Sequence, residues 1–417
     1  MHRGRLRLPI ALATAVVVAE AAVVLLRPRR GVIDPAPVSA RSYFSERYLD
    51  RAHDFRRPQL ALFGGQALVE AAILGLLARR PPARLRGQFR HPLLVAAAGG
   101  AALSVTLTIA TLPLAAVGRQ RAKDVGLVTQ SWGGWAGDVG KSTAIGAGFT
   151  AAGAALLLGG MRRLPRTWWL PGAGVVVGVG AVFLFAGPVL LDPLFNNFKA
   201  LPPGRTRSDV LALARRAGVK VGQVYEVDAS RRTTGANAYV TGLGRTKRVV
   251  LYDTLLRRFS PAETGLVVAH ELGHVHYQDV PRGLLYLALV APAAMFAAAR
   301  LGEALTPREV RPGTPAALPA AALALGIVAA LVGTVSNQLS RRVEARADTY
   351  SLELTHQPAA FIASERRLVE QNVADPDPPG WVTWLLATHP PALQRIGAGV
   401  AFERDRGTSA GHPAPRR

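Results

Sequence analysis

Two histidines, His270 and His274, enclose the run His270-Glu271-Leu272-Gly273-His274. On a helix this spacing stacks both imidazoles on one face, one turn apart. Two such side chains can hold one Zn²⁺ ion at about 2.0–2.1 Å each. Glu271 projects beside them, placed to take a proton from metal-activated water and pass it later to a leaving amine. The ion would lower the water's pKa towards about 7 and polarise a scissile carbonyl. The competing reading is a polar helix face that carries two histidines by coincidence. Against it, Leu266, Val267, Val268 and Ala269 lead into the motif. They make the helix an interior one, where histidine and glutamate need partners.

A catalytic zinc keeps three protein ligands and one open position. The chain has no cysteine, so the third ligand must be His, Asp or Glu, and no disulfide framework exists. The run from Ser340 to Asp348 offers Glu344 and Asp348 one helical turn apart. Glu344 is the expected ligand, completing a site for one Zn²⁺ per chain. Asp348 is expected to accept the other ring N–H of a ligating histidine. Taken alone, this run also reads as a charged surface helix with i,i+4 pairs; the upstream motif favours the ligand reading. His276, two residues past the motif, points off the metal face and reads as structural.

The elements that must position these groups are largely membrane-spanning. The 417 residues are 49% hydrophobic, with only 6% aromatic and a mean hydropathy of +0.20. Seven apolar stretches approach the roughly 20 residues that a span requires: 8–26, 59–78, 93–117, 143–160, 168–190, 284–299 and 316–335. The first reads as a retained helix rather than a cleaved signal, since its apolar run is long and Arg27, Arg29 and Arg30 follow at once. Two stretches are soluble in character. The first has a helical pattern at 208–217, strand-like alternation at 223–227, 238–243 and 248–252, and a helix opened by Ser260-Pro261. The second starts with a helix near Ser340. The expected organisation is a five-helix membrane domain (1–200), a first catalytic segment (201–281), two membrane helices (282–337), a second catalytic segment (338–404) and a disordered tail (405–417). Both catalytic segments then fall on one side of the membrane.

The formal net charge is +23. Its arginines lie mostly between apolar segments, where they orient membrane helices. No aromatic-interleaved basic patch accompanies them, so nucleic-acid binding is not expected. The Arg-over-Lys, Ala/Gly-rich bias points to a bacterial genome. The expected setting is a bacterial plasma membrane with the zinc domain on the cytoplasmic side, although arginines abound on both faces. Glu20 and Glu70 fall inside apolar stretches, where carboxylates are costly and often functional.

Several motifs together resemble the integral-membrane gluzincin proteases typified by the type I CAAX prenyl endopeptidase family, to which HtpX is related. They are Ala236-Asn237-Ala238-Tyr239, Val249 to Leu255, His270 to His274, Ser340 to Asp348, and His389-Pro390-Pro391 with Arg395-Ile396 behind. Asp192 to Asn196 and the 126–141 segment also fit, and the resemblance covers roughly residues 40–400. It implies a mainly α, polytopic membrane protein whose small α+β zincin-type catalytic domain is split around the last two helices. It also implies that Asn237 holds an extended substrate as an added strand, and that His389 and Arg395 stabilise the tetrahedral oxyanion.

The expected function is a membrane-embedded zinc metalloendopeptidase with Glu271 as general base. Its partners are a peptide or membrane-associated protein substrate and the lipid bilayer. An inert membrane scaffold on a protease fold is the alternative, and the complete set His270, Glu271, His274 and Glu344 speaks against it. A transporter would require polar clusters at mid-membrane, and only two carboxylates lie within the apolar stretches.

Overall fold

The computed structural model describes residues 7–242, 244 and 247–410, without the side chains of 7 and 407–410. Five long helices come first: α1 (Arg7–Leu26), α2 (Glu46–Arg79), α3 (Pro92–Asp124), α4 (Trp132–Arg163) and α5 (Trp169–Leu190). In the apolar windows of α2 to α5 only 6–11% of residues are buried inside the protein. Leu68, Leu94, Leu156, Val182 and Phe183 are among the large apolar side chains that face outward, as helices solvated by lipid tails require. α2, α3 and α4 run for 34, 33 and 32 residues. At about 1.5 Å per residue, each outreaches a hydrocarbon core of about 30 Å. The surplus lies on the catalytic side, where the α3–α4 connection pairs with the catalytic chain through Thr129 N–H to Arg232 O (3.1 Å) and Thr234 N–H to Leu127 O (3.0 Å).

After α5 the chain folds into a small mixed unit. It holds β1 (Phe198–Ala200), α6 (Arg205–Arg216), β2 (Gln223–Val227), β3 (Ala238–Thr241), β4 (Arg248–Tyr252), α7 (Asp253–Arg258) and α8 (Pro261–His276). The strand order is β1-β2-β4-β3. β2 and β4 pair in parallel, Val224 opposite Val249, while β1 and β3 pair antiparallel on the two edges. Val224, Val249, Val250 and Leu251 are fully buried, so the central strands form the floor on which α8 rests. The three expected strands form, and β1 adds a fourth that its short sequence did not announce. β3 stops at Thr241, ahead of the positive φ of Gly242; Leu243, in the expected 238–243 run, lies outside the described residues.

Two more spanning helices follow, α9 (Asp279–Leu305) and α10 (Leu318–Thr355), then α11 (Pro358–Gln371), α12 (Gly380–Leu386) and α13 (Ala392–Ala410). α1, α9 and α10 form an inner bundle joined through Ala11, Ala15, Ala297, Ala298 and Val328. Small side chains let these backbones approach closely. Here the structure departs from the expected boundary at 337/338. No proline or glycine stop interrupts residues 334–355, so the last spanning helix and the expected catalytic helix are one rod of 38 residues. α13 likewise runs six residues past 404 into the expected disordered tail. Arg406, over the Phe402 ring at 5.9 Å and bonded to His356 O at 3.1 Å, ties that turn back. Residues 411–417 of the tail lie outside the described residues.

α8 begins with a capping box. Ser260 Oγ accepts from Glu263 N–H, and Glu263 Oε2 accepts from Ser260 N–H at 2.7 Å. Burial pushes the Glu263 carboxyl up, but the Ser260 backbone N–H and the Arg367 guanidinium outweigh it and hold its pKa below the ordinary value. A depressed folded-state pKa gives stabilisation that is present above the unfolded pKa of about 4.3 and lost as pH falls. Glu263→Gln should therefore lower the apparent Tm at neutral pH and flatten its decline below about pH 4.5, read by thermal unfolding of detergent-solubilised protein.

Candidate metal centre and catalytic cleft

α8 buries Leu266, Val268, Ala269 and Leu272 against the sheet and α10. This turns His270 and His274 to one side. Gly273 permits the approach of α10: a Cβ there would lie 3.1 Å from Tyr350 Cδ1 and 3.4 Å from Ala347 Cα. The contact brings Glu344, one turn before Asp348, over the two imidazoles. His270 Nε2 and His274 Nε2 stand 3.2 Å apart. Glu344 Oε2 is 3.1 Å from the first and Oε1 is 3.6 Å from the second. Two ligands at about 2.05 Å from a tetrahedral ion would lie about 3.3 Å apart. The three groups match that triangle.

The opposite ring nitrogens fix the tautomers. His270 Nδ1 donates to Asp348 Oδ1 at 2.8 Å, and His274 Nδ1 donates to Asp279 Oδ2 at 3.0 Å. With Nδ1 engaged in this way, each Nε2 faces the shared space, where a cation would take the place of an Nε2 proton. The field there favours positive charge. Burial alone would depress His270, yet Asp348 and Glu344 outweigh it and raise it to about 10. The donor set therefore fits a divalent metal.

Each outer carboxylate is itself held. Arg395 Nε and Nη2 donate to Asp348 at 2.8 and 2.6 Å, while its Nη1 pairs with Glu365 at 2.6 Å. Arg346 donates to Asp279 and lies 4.1 Å over the Tyr277 ring. The sequence indicated Asp348 but not Asp279, Arg346 or Glu365. Asp279 lies five residues past His274, and its side chain turns back only because Gln278 takes a left-handed φ of 55° between α8 and α9. Glu365 carried no signal beyond a lone acid on an amphipathic helix.

The other expected residues are brought in unequally. Glu271 offers its carboxylate within 4.8 Å of the ligand atoms of His270 and His274, and burial raises its pKa. Glu271 belongs to that cluster, but the Glu344 oxygens are the ones that complete the triangle. His389 reaches the site from the loop after α12, its Nε2 3.2 Å from Glu344 Oε2 and its side chain 60% exposed. Desolvation lowers its pKa against the opposing pull of the Glu344 carboxylate. Asn237 immediately precedes edge strand β3, and its Oδ1 accepts from Ala238 N–H at 2.9 Å. A cleft of about 690 Å³ joins Gly235, Asn237, Tyr252, Glu365, His389 and Arg395. Arg395 also lines this cleft, and Asp348 and Glu365 engage both edges of its guanidinium, which holds it on Asp348. His276 stacks on Tyr350 at 4.8 Å, in keeping with a structural role. Glu20 bonds Gln338 at 3.2 Å, and Glu70 is exposed on α2.

Residues 201–399 match the description Peptidase family M48. The uncharacterized metalloprotease YhfN of Bacillus subtilis is 33% identical over 70% of this chain and 70% of that protein. The chain belongs to peptidase family M48. A CAAX prenyl protease 1 homolog of Oryza sativa is 27% identical over 54% of each protein. The crystal structure of S. mikatae Ste24p superposes with a TM-score of 0.73 at 18% identity, covering 96% of this chain and 99% of that one. That likeness establishes the fold across the membrane helices as well as the M48 region.

The M48 chain is thus a multi-pass membrane metalloprotease. Replacing Asp279 with Asn removes the charge and leaves one acceptor oxygen where His274 and Arg346 now use two, so the His274 tautomer loses its fixed partner. We expect metal affinity to fall by about 10- to 100-fold with helicity unchanged, read by chelator competition and circular dichroism.

Proposed function

We propose that this M48 chain is a zinc metalloendopeptidase acting on membrane-associated or unfolded protein chains. The observation that carries this reading is the convergence of His270 Nε2, His274 Nε2 and the Glu344 carboxylate beside Glu271, with His389, 3.2 Å from Glu344, also lining the cleft that reaches Asn237. His270, His274 and Glu344 would hold one Zn²⁺. When bound, that ion supplies Lewis-acid polarisation of a peptide carbonyl and of water.

The remaining chemistry belongs to the chain's own residues. Glu271, raised by burial, takes the proton of the attacking water and returns it to the leaving amine. His389 donates Nε2–H to the oxygen that gains charge as the carbonyl becomes tetrahedral. Asn237 and β3 hold the substrate backbone extended, as an added strand. Asp348 and Asp279, with Arg395 and Arg346 behind them, keep both ligating imidazoles in one tautomer. The segments 201–281 and 338–404 act as one catalytic unit, joined through the spanning pair 282–337. Relatives named CAAX prenyl protease 1 support a substrate presented near a membrane. The proposed orientation in a bacterial plasma membrane sets this unit in the cytoplasm; a carboxy-terminal reporter active only there checks it.

The deciding experiment compares purified wild type with Glu271→Gln and Glu344→Gln. Wild type should carry one zinc and cleave casein in a chelator-sensitive manner. Glu271→Gln should retain zinc and lose about 10²- to 10⁴-fold in rate. Glu344→Gln should lose zinc as well as activity. Equal cleavage by wild type and Glu271→Gln would overturn the mechanism.

A further inference from the structure

The short helix α12 presents an apolar face that the catalytic reading does not use. Its seven residues, Gly-Trp-Val-Thr-Trp-Leu-Leu, contain no charge, in a chain whose net charge is +23. Trp381, Trp384 and Leu385 stand at i, i+3 and i+4, hence on one face. They are 58, 57 and 39% exposed.

The height of this helix along the bundle is fixed by α10. Asn337 Nδ2 donates to Leu385 O at 3.0 Å, and Arg341 Nη1 donates to Thr383 O and Ala387 O at 2.8 and 2.7 Å. Residues 337–341 lie immediately past the apolar run of α10. Near this level α1 ends: Leu26 and Leu339 pack against one buried cluster, and the exposed arginines Arg27, Arg29 and Arg30 follow. Arg342 is exposed one residue past the strap. α12 is therefore pinned where two spanning helices leave the hydrocarbon, among arginines. Tryptophan favours that zone because its ring is apolar and its N–H is polar.

We infer that α12 is an interfacial helix: Trp381, Trp384 and Leu385 insert into the acyl–headgroup boundary of the bilayer, and Arg27, Arg29, Arg30 and Arg342 meet anionic headgroups. An uncharged apolar face flanked by cations fits an anionic lipid surface. α12 ends three residues before His389, so this contact holds one wall of the cleft at the membrane surface. The lipid contact does not depend on the zinc chemistry proposed above, and its test reads no activity.

The chain has no cysteine, so single-cysteine labelling is unambiguous. Trp381→Cys and Trp384→Cys are labelled with bimane in nanodiscs holding one protein each, made with phosphatidylglycerol and doped with lipid nitroxide-labelled near the headgroup. Asp209→Cys, on exposed α6, is the aqueous reference. We expect blue-shifted emission and at least about twofold lipid quenching at 381 and 384, with neither at 209. Water-like, unquenched emission at 381 and 384 would overturn the inference. So would a blue shift without lipid quenching that grows with protein concentration in detergent, which would assign the face to a second copy of the chain. If one variant fails to fold, the other gives the same readout.

Discussion

The site depends on a pair of hydrogen bonds made away from the metal face, His270 Nδ1 to Asp348 and His274 Nδ1 to Asp279. They fix the orientation of each ring and so aim both Nε2 atoms into one space. Without them either ring could rotate or change tautomer, and the triangle with Glu344 would be lost. Carboxylates this buried need their own compensation, since an ion removed from water is costly unless paired. Arg395 and Arg346 supply it. Arg395 in turn requires Glu365, because it faces Asp348 and Glu365 together.

These bonds tie the centre to every region of the fold. Asp279 opens α9, the sixth spanning helix. Glu344 and Asp348 ride on α10, whose other end lies in the membrane. Arg395 comes from α13 and Glu365 from α11. A continuous α10 joins the membrane bundle and the metal site into one body, since a shift of the rod moves Glu344 directly. The left-handed turn at Gln278 and the absent side chain at Gly273 are small local features on which that assembly rests. One sets the direction of Asp279, and the other sets how closely α8 and α10 approach.

Much of this was legible in the sequence. Long apolar runs gave the seven spanning helices because a bilayer tolerates few alternatives to a helix. The four-residue spacings of His270/His274 and Glu344/Asp348 placed each pair on one helical face, because helical geometry is local. Boundaries were less legible. The expected break near residue 338 is missing because nothing in the sequence stops the helix; only the surroundings change from lipid to protein. The extension of α13 past residue 404 likewise rests on contacts to residues remote in sequence.

The sequence by itself therefore determined the class of chemistry, the His270–His274 run and the membrane setting, all carried by short-range periodicity and composition. Tertiary structure decided the rest. Asp279 became a partner of His274 through one turn's backbone angle. Arg395 came to hold Asp348 because α10, α11 and α13 pack side by side. Glu365 entered the network only because α11 packs beside α13. The triangle of His270, His274 and Glu344 closed only when α10 lay against Gly273, since directions and distances between separate helices are set by packing, which no local spacing encodes.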